Sequence, residues 1–532
     1  MAGFEIPSTI AIMKLLLEDI LERGYFLKEL PPPFNTEGFS RVGKSILSKI
    51  NPDLKKRFPS SECVQYSIPK NEFGRRTLGI PNPLHYLILC DSLVTNWEKI
   101  RKIYKASPYS TSRPLIDGDK LASHDTKNFE KFKRNRLILS ADNIYELKTD
   151  ISRYYSTIYT HIIPWAIYNR PFAKINRNNR ALWGNILDTN IRNVQSQQTM
   201  GIPTGPEASA IIAEIIGCKL DKILKKLLPK VKGFRYIDDY YFYFPTEASA
   251  EKVIKNLQFV FGQYQLELNE GKTRVTKFPF ELEPEWVLAM RSFKFRGSAS
   301  DQEYNIRDFF SMVFRYAAQY PKESVFKYAL EKIKTWEIRK ENWPYIEAWL
   351  LKTAIHQPLT LKDIVEVLLI NKKQISVTRI KATTEQLIKI HSNKRNSFEL
   401  CWALWLAKSF KFKIHASLIK KVFNSQDTLA TLIALDLRDS KLVNGYVSIR
   451  ELNRELTEDS LFNERWLLSY EAIMKKWLKP ADTNILKKNQ FFKNLVQSKI
   501  SFYDGERQLK IKERQTKNAN ILSLPPSDLL GI

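Results

Sequence analysis

Phe234-Arg235-Tyr236-Ile237-Asp238-Asp239-Tyr240-Tyr241-Phe242-Tyr243-Phe244 sets two adjacent carboxylates inside a run of aromatic and β-branched residues. The flanks are strand formers, whereas Asp is a poor strand residue, so the pair belongs at the tip of a β-hairpin. Two negative charges held that close repel each other, and the repulsion raises a pKa or is relieved by a cation. Paired hard cations on such carboxylates can clamp the attacking and leaving oxygens of a phosphoryl transfer. An acidic surface turn is the plainer reading of the Asp pair alone. The rest of the chain has to decide between them.

The 532 residues exceed a usual single core, so more than one domain is expected. With 43% apolar and 12% aromatic residues, the composition is that of a folded protein. Lys and Arg number 84 against 57 Asp and Glu, a net charge of +27 that favours a polyanionic partner, nucleic acid first. Cys63, Cys90, Cys218 and Cys401 lack the paired spacing of a zinc or disulfide framework. Charges interrupt the N-terminal apolar stretch, and no later run has membrane-spanning length, so a cytoplasmic protein without a membrane partner is expected.

In chain order, residues 10–21 show helical spacing, with Ile10, Met13, Leu17 and Ile20 on one face. Gly24 and the extended segment Tyr25-Phe26-Leu27-Lys28-Glu29-Leu30-Pro31-Pro32-Pro33-Phe34 follow. Next, Ser67-Ile68-Pro69-Lys70 and Arg75-Arg76-Thr77-Leu78-Gly79-Ile80-Pro81 bracket a turn, a hairpin from which Lys70 and Arg76 can meet phosphate oxygens. An apolar strand then leads into Asp150, which would be an ordinary helix cap or a third carboxylate opposite Asp238. Gly201-Ile202-Pro203-Thr204-Gly205-Pro206 makes a turn before a helix, a place where main-chain N–H groups suit a phosphate or a base pair. After the Asp pair, a helix over 251–264 precedes Asn269-Glu270-Gly271-Lys272-Thr273, with Lys272 a candidate general acid or charge stabiliser.

These five elements, in this order over about residues 65–275, resemble the fingers and palm of reverse transcriptases. The Tyr-x-Asp-Asp hairpin, the Asp150 strand, the Gly-Pro loop and the Lys272 turn are similar to that family's successive polymerase motifs. The resemblance implies Mg²⁺, or Mn²⁺, held by Asp150, the Ile151 carbonyl, Asp238 and Asp239. It implies deoxynucleotide contacts from Lys70, Arg76, Ile151, Tyr155, Thr204 and Gly205, with the Tyr155 ring under the sugar disfavouring a 2′-hydroxyl. Thr204 departs from the pattern, because templated relatives usually carry Gln there, next to the template strand.

Tyr159-Thr160-His161-Ile162-Ile163-Pro164-Trp165, with the Gly201–Gly205 loop, resembles more narrowly the abortive-infection (AbiK-like) reverse transcriptases of bacteria. That likeness implies antiphage defence, synthesis of DNA without a template, and a protein hydroxyl as primer, so that single-stranded DNA product stays covalently attached. It also implies a homo-oligomer. Tyr25, in its Gly- and Pro-flanked segment, is the priming candidate, with anchoring of that segment as its alternative role; Tyr66 and Tyr109 stay open. Two other readings remain: a templated RNA-directed DNA polymerase of the retron or group II kind, and a nucleic-acid-binding scaffold with an inactive palm.

The second half changes character. Amphipathic helices are predicted over 309–319, 324–336, 344–355, 361–369, 397–409, 416–423, 428–437 and 461–477. Pro321 and Pro358, about 37 residues apart, suit a paired-helix solenoid. Trp402, Trp405, Trp466 and Trp477 are assigned to helix–helix core. The segment 487–514 is basic and reads as a tail that is partly disordered or tracks a nucleic-acid backbone. The expected architecture is α+β: an N-terminal helix and Pro-rich segment (1–64), right-hand polymerase fingers and palm (65–300), and an all-α, HEAT-like helical-repeat domain with a basic tail (301–532).

Overall fold

The computed structural model describes residues 14–50, 58–70, 74–117, 120–122, 134–296 and 299–509. Residues 10–13 of the first predicted helix, and the tail beyond 509, lie outside them. Four strands make the central antiparallel sheet: β5 (Tyr145–Asp150), β6 (Lys232–Tyr236), β7 (Asp239–Phe244) and β8 (Arg274–Lys277), in the order β6-β7-β5-β8. Before them come the hairpin β1 (Val64–Pro69) and β2 (Arg75–Ile80), and the short pair β3 (Leu115–Asp117) and β4 (Lys120–Ala122).

Every residue of β7 is buried, which explains why all five residues after Asp239 are aromatic instead of alternating with polar ones. One face is covered by the helices Glu207–Leu227 and Glu247–Gln263, whose Ile211, Ile215, Val253 and Leu257 are fully buried or nearly so. On the other face Phe234 and Tyr241 stack with ring centres 5.0 Å apart.

The second half is helical, as expected. Its helices run Ala299–Gln319, Val325–Lys334, Trp343–His356, Leu361–Ile370, Val377–His391, Ser397–Phe410, Ala416–Asn424, Thr428–Asp439 and Trp466–Met474. Val377–His391 was not foreseen, because its buried face mixes Thr383 and Thr384 with Ile380 and Leu387 and weakens the apolar period. Trp402, Trp405 and Trp466 lie in the core. None of the described helices is long and apolar enough to cross a membrane.

The expectation of a basic tail from residue 487, partly disordered or tracking a nucleic-acid backbone, is corrected up to residue 509, where the chain packs into the core. The helix Gln490–Gln497 buries Phe491, Phe492 and Leu495, and the chain beyond it buries Phe502 and Tyr503. Lys and Gln between these aromatics masked an amphipathic helix. Phe502 then meets the N-terminal segment, its ring centre 6.4 Å from Tyr25, 5.9 Å from Phe26 and 5.4 Å from Phe39. Asn35 N–H donates to the Phe502 carbonyl and Asp504 N–H to the Pro33 carbonyl, so the segments around Pro33 and Phe502 share one core.

Candidate active site

Strand pairing alone brings the carboxylates together. β5 and β7 run antiparallel with Asp150 directly opposite Asp239. β6 and β7 pair Tyr236 with Asp239, leaving Ile237 and Asp238 as a two-residue turn. Such turns require a positive φ, and Ile237 takes φ +59°, a costly conformation for a β-branched residue. The surroundings hold it there. Ile237 N–H donates to Ser112 Oγ at 2.8 Å, and Arg235 Nη1 donates to the Ile237 carbonyl at 2.7 Å.

Arg235 is the residue that sequence reasoning missed. It is fully buried behind the hairpin and binds two carboxylates of the helix Glu207–Leu227, Glu214 Oε2 at 2.9 Å and Asp221 Oδ2 at 2.9 Å. Burial works against both acids. Arg235 outweighs it at Glu214, holding that carboxyl below its ordinary value, but not at Asp221, which stays above. Gly217 makes the room, since a Cβ there would lie 2.6 Å from Arg235 Cζ. Two acids seven residues apart on an Ile-rich helix, with Gly between them, was the available signal.

Asp150 ends β5 between the hairpin and the Lys272 turn. Ile151 N–H donates to the Asp238 carbonyl at 3.3 Å, and Asn269 N–H to the Asp150 carbonyl at 3.0 Å. Lys272 Nζ donates to Asp150 Oδ2 at 2.7 Å, while Oδ1 is buried without a hydrogen-bond partner. Burial, then the charges of Asp239 and Asp150, push the Asp238 carboxyl up to about 7. Burial likewise pushes Asp239 up to about 6 despite the opposing charges of Lys148 and Lys272. Burial opposes the Lys272 ammonium, but its hydrogen bond to Asp150 prevails and keeps its pKa above the ordinary value. Oxygen-only donors, an orphaned buried oxygen and two strained carboxylates are what a hard divalent cation satisfies, so these residues fit Mg²⁺.

The basic hairpin faces the same place. Partial burial, then Arg76 and Lys272, pull the Lys70 ammonium below its ordinary value, with Asp150 and Asp238 acting the other way. Tyr155 lies half-buried within the fields of Asp238 and Arg76, and its carbonyl accepts from Ile202 N–H at 2.8 Å. The Thr204 carbonyl accepts from Gly79 N–H at 3.0 Å, tying the Gly-Pro loop to β2. Gly205 follows at φ +117°, where a Cβ would also strike Leu27 at 2.3 Å. Beside this loop opens a cleft of about 320 Å³, lined by Glu62, Gln65, Thr77, Gln198, Thr204 and Glu464 among others.

Tyr25 is placed in the core. Its ring is fully buried and stacks on Tyr86 at 4.2 Å, and its hydroxyl donates to the Pro81 carbonyl at 2.6 Å. Tyr66 and Tyr109 are also buried, with hydroxyls donating to the carbonyls of Glu29 and Val231. A second acidic cluster, Glu331, Asp363 and Glu366, surrounds Lys334 Nζ, which lies 3.2 Å from Asp363 and 2.6 Å from Glu366. The ammonium is its counter-ion.

Three carboxylates gathered on one sheet and faced by a basic hairpin have the geometry of a polymerase-type nucleotidyltransferase site. Residues 100–300 match the family model described as reverse transcriptase (RNA-dependent DNA polymerase), and the chain carries a domain of that kind there. No curated protein matches the chain. Among solved structures, the chain is similar to the apo telomerase of Candida tropicalis truncated from its C-terminal domain, at 14% identity and a TM-score of 0.30. That alignment covers 46% of this chain and 56% of the other, so the chain spans just over half of that relative. The apo telomerase of the same organism aligns over 81% of this chain and 76% of its own, at 12% identity and a TM-score of 0.33. Telomerase from Candida albicans with a fragment of telomeric RNA aligns over 77% and 71%, at 12% identity and a TM-score of 0.29.

Proposed function

We propose that this protein is a DNA polymerase of reverse-transcriptase type that adds deoxynucleotides to a protein hydroxyl without a template, in antiphage abortive infection. The observation that carries the catalytic part is the register of Asp150 opposite Asp239, with Asp238 at the turn and Asp150 Oδ1 unpartnered. Asp150, the Ile151 carbonyl, Asp238 and Asp239 would hold Mg²⁺, which supplies Lewis acidity toward the primer hydroxyl and the leaving pyrophosphate. Lys70 and Arg76 bind and orient the triphosphate. Lys272, kept protonated beside Asp150, is the proton donor to the leaving group. Tyr155 packs against the sugar and excludes a 2′-hydroxyl.

Two features favour synthesis without a template. Thr204 offers no side-chain amide, and the acidic residues Glu62 and Glu464 are among those lining the adjoining cleft, where negative charge disfavours a phosphate backbone. Defence, protein priming and a homo-oligomeric assembly rest on the motif resemblance around Tyr159–Trp165. Priming by Tyr25 requires its segment to leave the core.

The test is to incubate purified protein with Mg²⁺ and labelled dNTPs, without nucleic acid, and to run denaturing protein gels before and after protease. The expected result is label that migrates with the protein and is released as DNA-peptide, with the labelled peptide locating the primer. Incorporation that needs added template and primer would replace this reading with a templated reverse transcriptase.

A further inference from the structure

The basic hairpin is not free-standing. Arg75, adjacent to Arg76, reaches out of β2 to Glu399 on the helix Ser397–Phe410 of the second half, more than three hundred residues away. The pairing is bidentate: Nη1 donates to Oε1 at 2.7 Å and Nη2 to Oε2 at 2.8 Å. The guanidinium is steadied on its own hairpin by Ser67, through Oγ at 2.7 Å and the carbonyl at 2.9 Å. Glu399 is only 1% exposed, and the titratable group beside it is His391, whose Nδ1 lies 3.8 Å away and whose burial favours the neutral ring. Three residues along the same helix, Trp402 Nε1 donates to the Glu29 carbonyl, which also accepts from Tyr66 of β1. Glu62, next to β1, donates its N–H to the Phe462 carbonyl, and Trp466 Nε1 donates to the Ile80 carbonyl at the end of β2. The second half therefore grips the hairpin at both ends.

An ion pair with one partner buried and the other part-exposed is a weak source of stability, because desolvation of Glu399 offsets much of the attraction, but its fork geometry fixes orientation well. Successive side chains on a strand point to opposite faces. Holding Arg75 against the helical half therefore fixes the opposite direction for Arg76. Lys70 is tied in as well, since it follows Pro69, the register partner of Arg75, and its N–H donates to the Gly74 carbonyl at 2.9 Å.

We propose that Glu399 is a positioning residue for nucleotide binding. Through Arg75 it sets the face on which Arg76 and Lys70 meet the triphosphate, so the helical half determines the polymerase's nucleotide affinity. This rests on the reading of Lys70 and Arg76 as triphosphate ligands.

The test uses full-length protein and steady-state incorporation with Arg76→Gln, Glu399→Gln, Arg75→Gln, Arg75→Lys and the Arg75→Gln/Glu399→Gln pair. Glu399→Gln and Arg75→Gln should each raise the KM for dNTP about tenfold while kcat stays within about twofold, the signature of lost binding as opposed to lost chemistry. The double variant should be no worse than the worse single, since both remove one interaction. Arg75→Lys, which keeps the charge and loses the fork, should fall between. If Arg76→Gln leaves KM unchanged, the triphosphate reading itself fails. If Arg76→Gln raises KM but the folded Glu399 and Arg75 variants do not, or lose melting temperature and kcat alone, the pair is structural only and the positioning role is overturned. Should Glu399→Gln fail to fold, Arg75→Lys decides by the same KM criterion.

Discussion

Asp238 occupies the second turn position and cannot move away from Asp239 and Asp150 without undoing the strand register. Its pKa of about 7, and that of Asp239 at about 6, lie above the ordinary carboxylate value near ~4. Between those limits the folded protein holds protons that the unfolded chain has released. Stability from these groups is therefore fully present below about pH 4 and is lost progressively as pH rises to about 7. In metal-free protein, Asp238→Asn should gain melting temperature relative to wild type as pH goes from about 5 to about 8, and saturating Mg²⁺ should abolish that gain by stabilising wild type alone. Parallel melting series with and without chelator check this; a gap that does not change with pH would contradict it. The same variant should fold and incorporate no nucleotide.

At the scale of the element, the hairpin β6–β7 and the helix Glu207–Leu227 form one unit through Arg235. The guanidinium joins two buried acids to the carbonyl of a residue in a strained conformation, so disturbing it should reach the carboxylates. Gly217→Ala tests the coupling. On an exposed helix this change stabilises by about 1 kcal/mol. Here the new methyl meets a guanidinium that its partners hold fast, so the expected effect is a loss of about 1–3 kcal/mol together with reduced incorporation. Thermal melting and the incorporation assay measure both, and a stabilised, fully active variant would separate the helix from the turn.

At the scale of the whole molecule, the segments around Tyr25 and Phe502 interlock and the helical half grips the hairpin β1–β2. Phe502 is the centre of that closure, with ring contacts to Tyr25, Phe26 and Phe39 from the N-terminal segment and to Trp466 and Tyr470 from the helical half. Phe502→Ala should cost about 3–5 kcal/mol. Because elements from both halves meet on this ring, calorimetry of the variant should show them still melting in one transition at lower temperature. Two well-separated transitions, with only one shifted, would show that the halves are energetically independent.

Much of the central sheet was legible from local signals. Asp238-Asp239 at a hairpin tip follows from β propensity against turn propensity, and Asp150 stood out as an acid closing an apolar strand. Most second-half helices were visible in their apolar period. What stayed hidden depends on partners distant in sequence. Arg235 looked like one more polar residue in a strand, because its acids lie on a different element. Tyr25 could be read as an anchor of its segment, but what it anchors to could not, since the surface that buries it comes from Tyr86 and Phe502. The segment after Lys487 looked like a basic tail for the same reason. The sequence by itself determined which residues are acidic, basic and strand-forming, and in what order, because propensity and charge are properties of neighbours along the chain. The tertiary structure alone decided the Asp150–Asp239 register, the support beneath Ile237 and the grip of Glu399 on Arg75, because burial and pairing belong to residues that meet only when the chain folds.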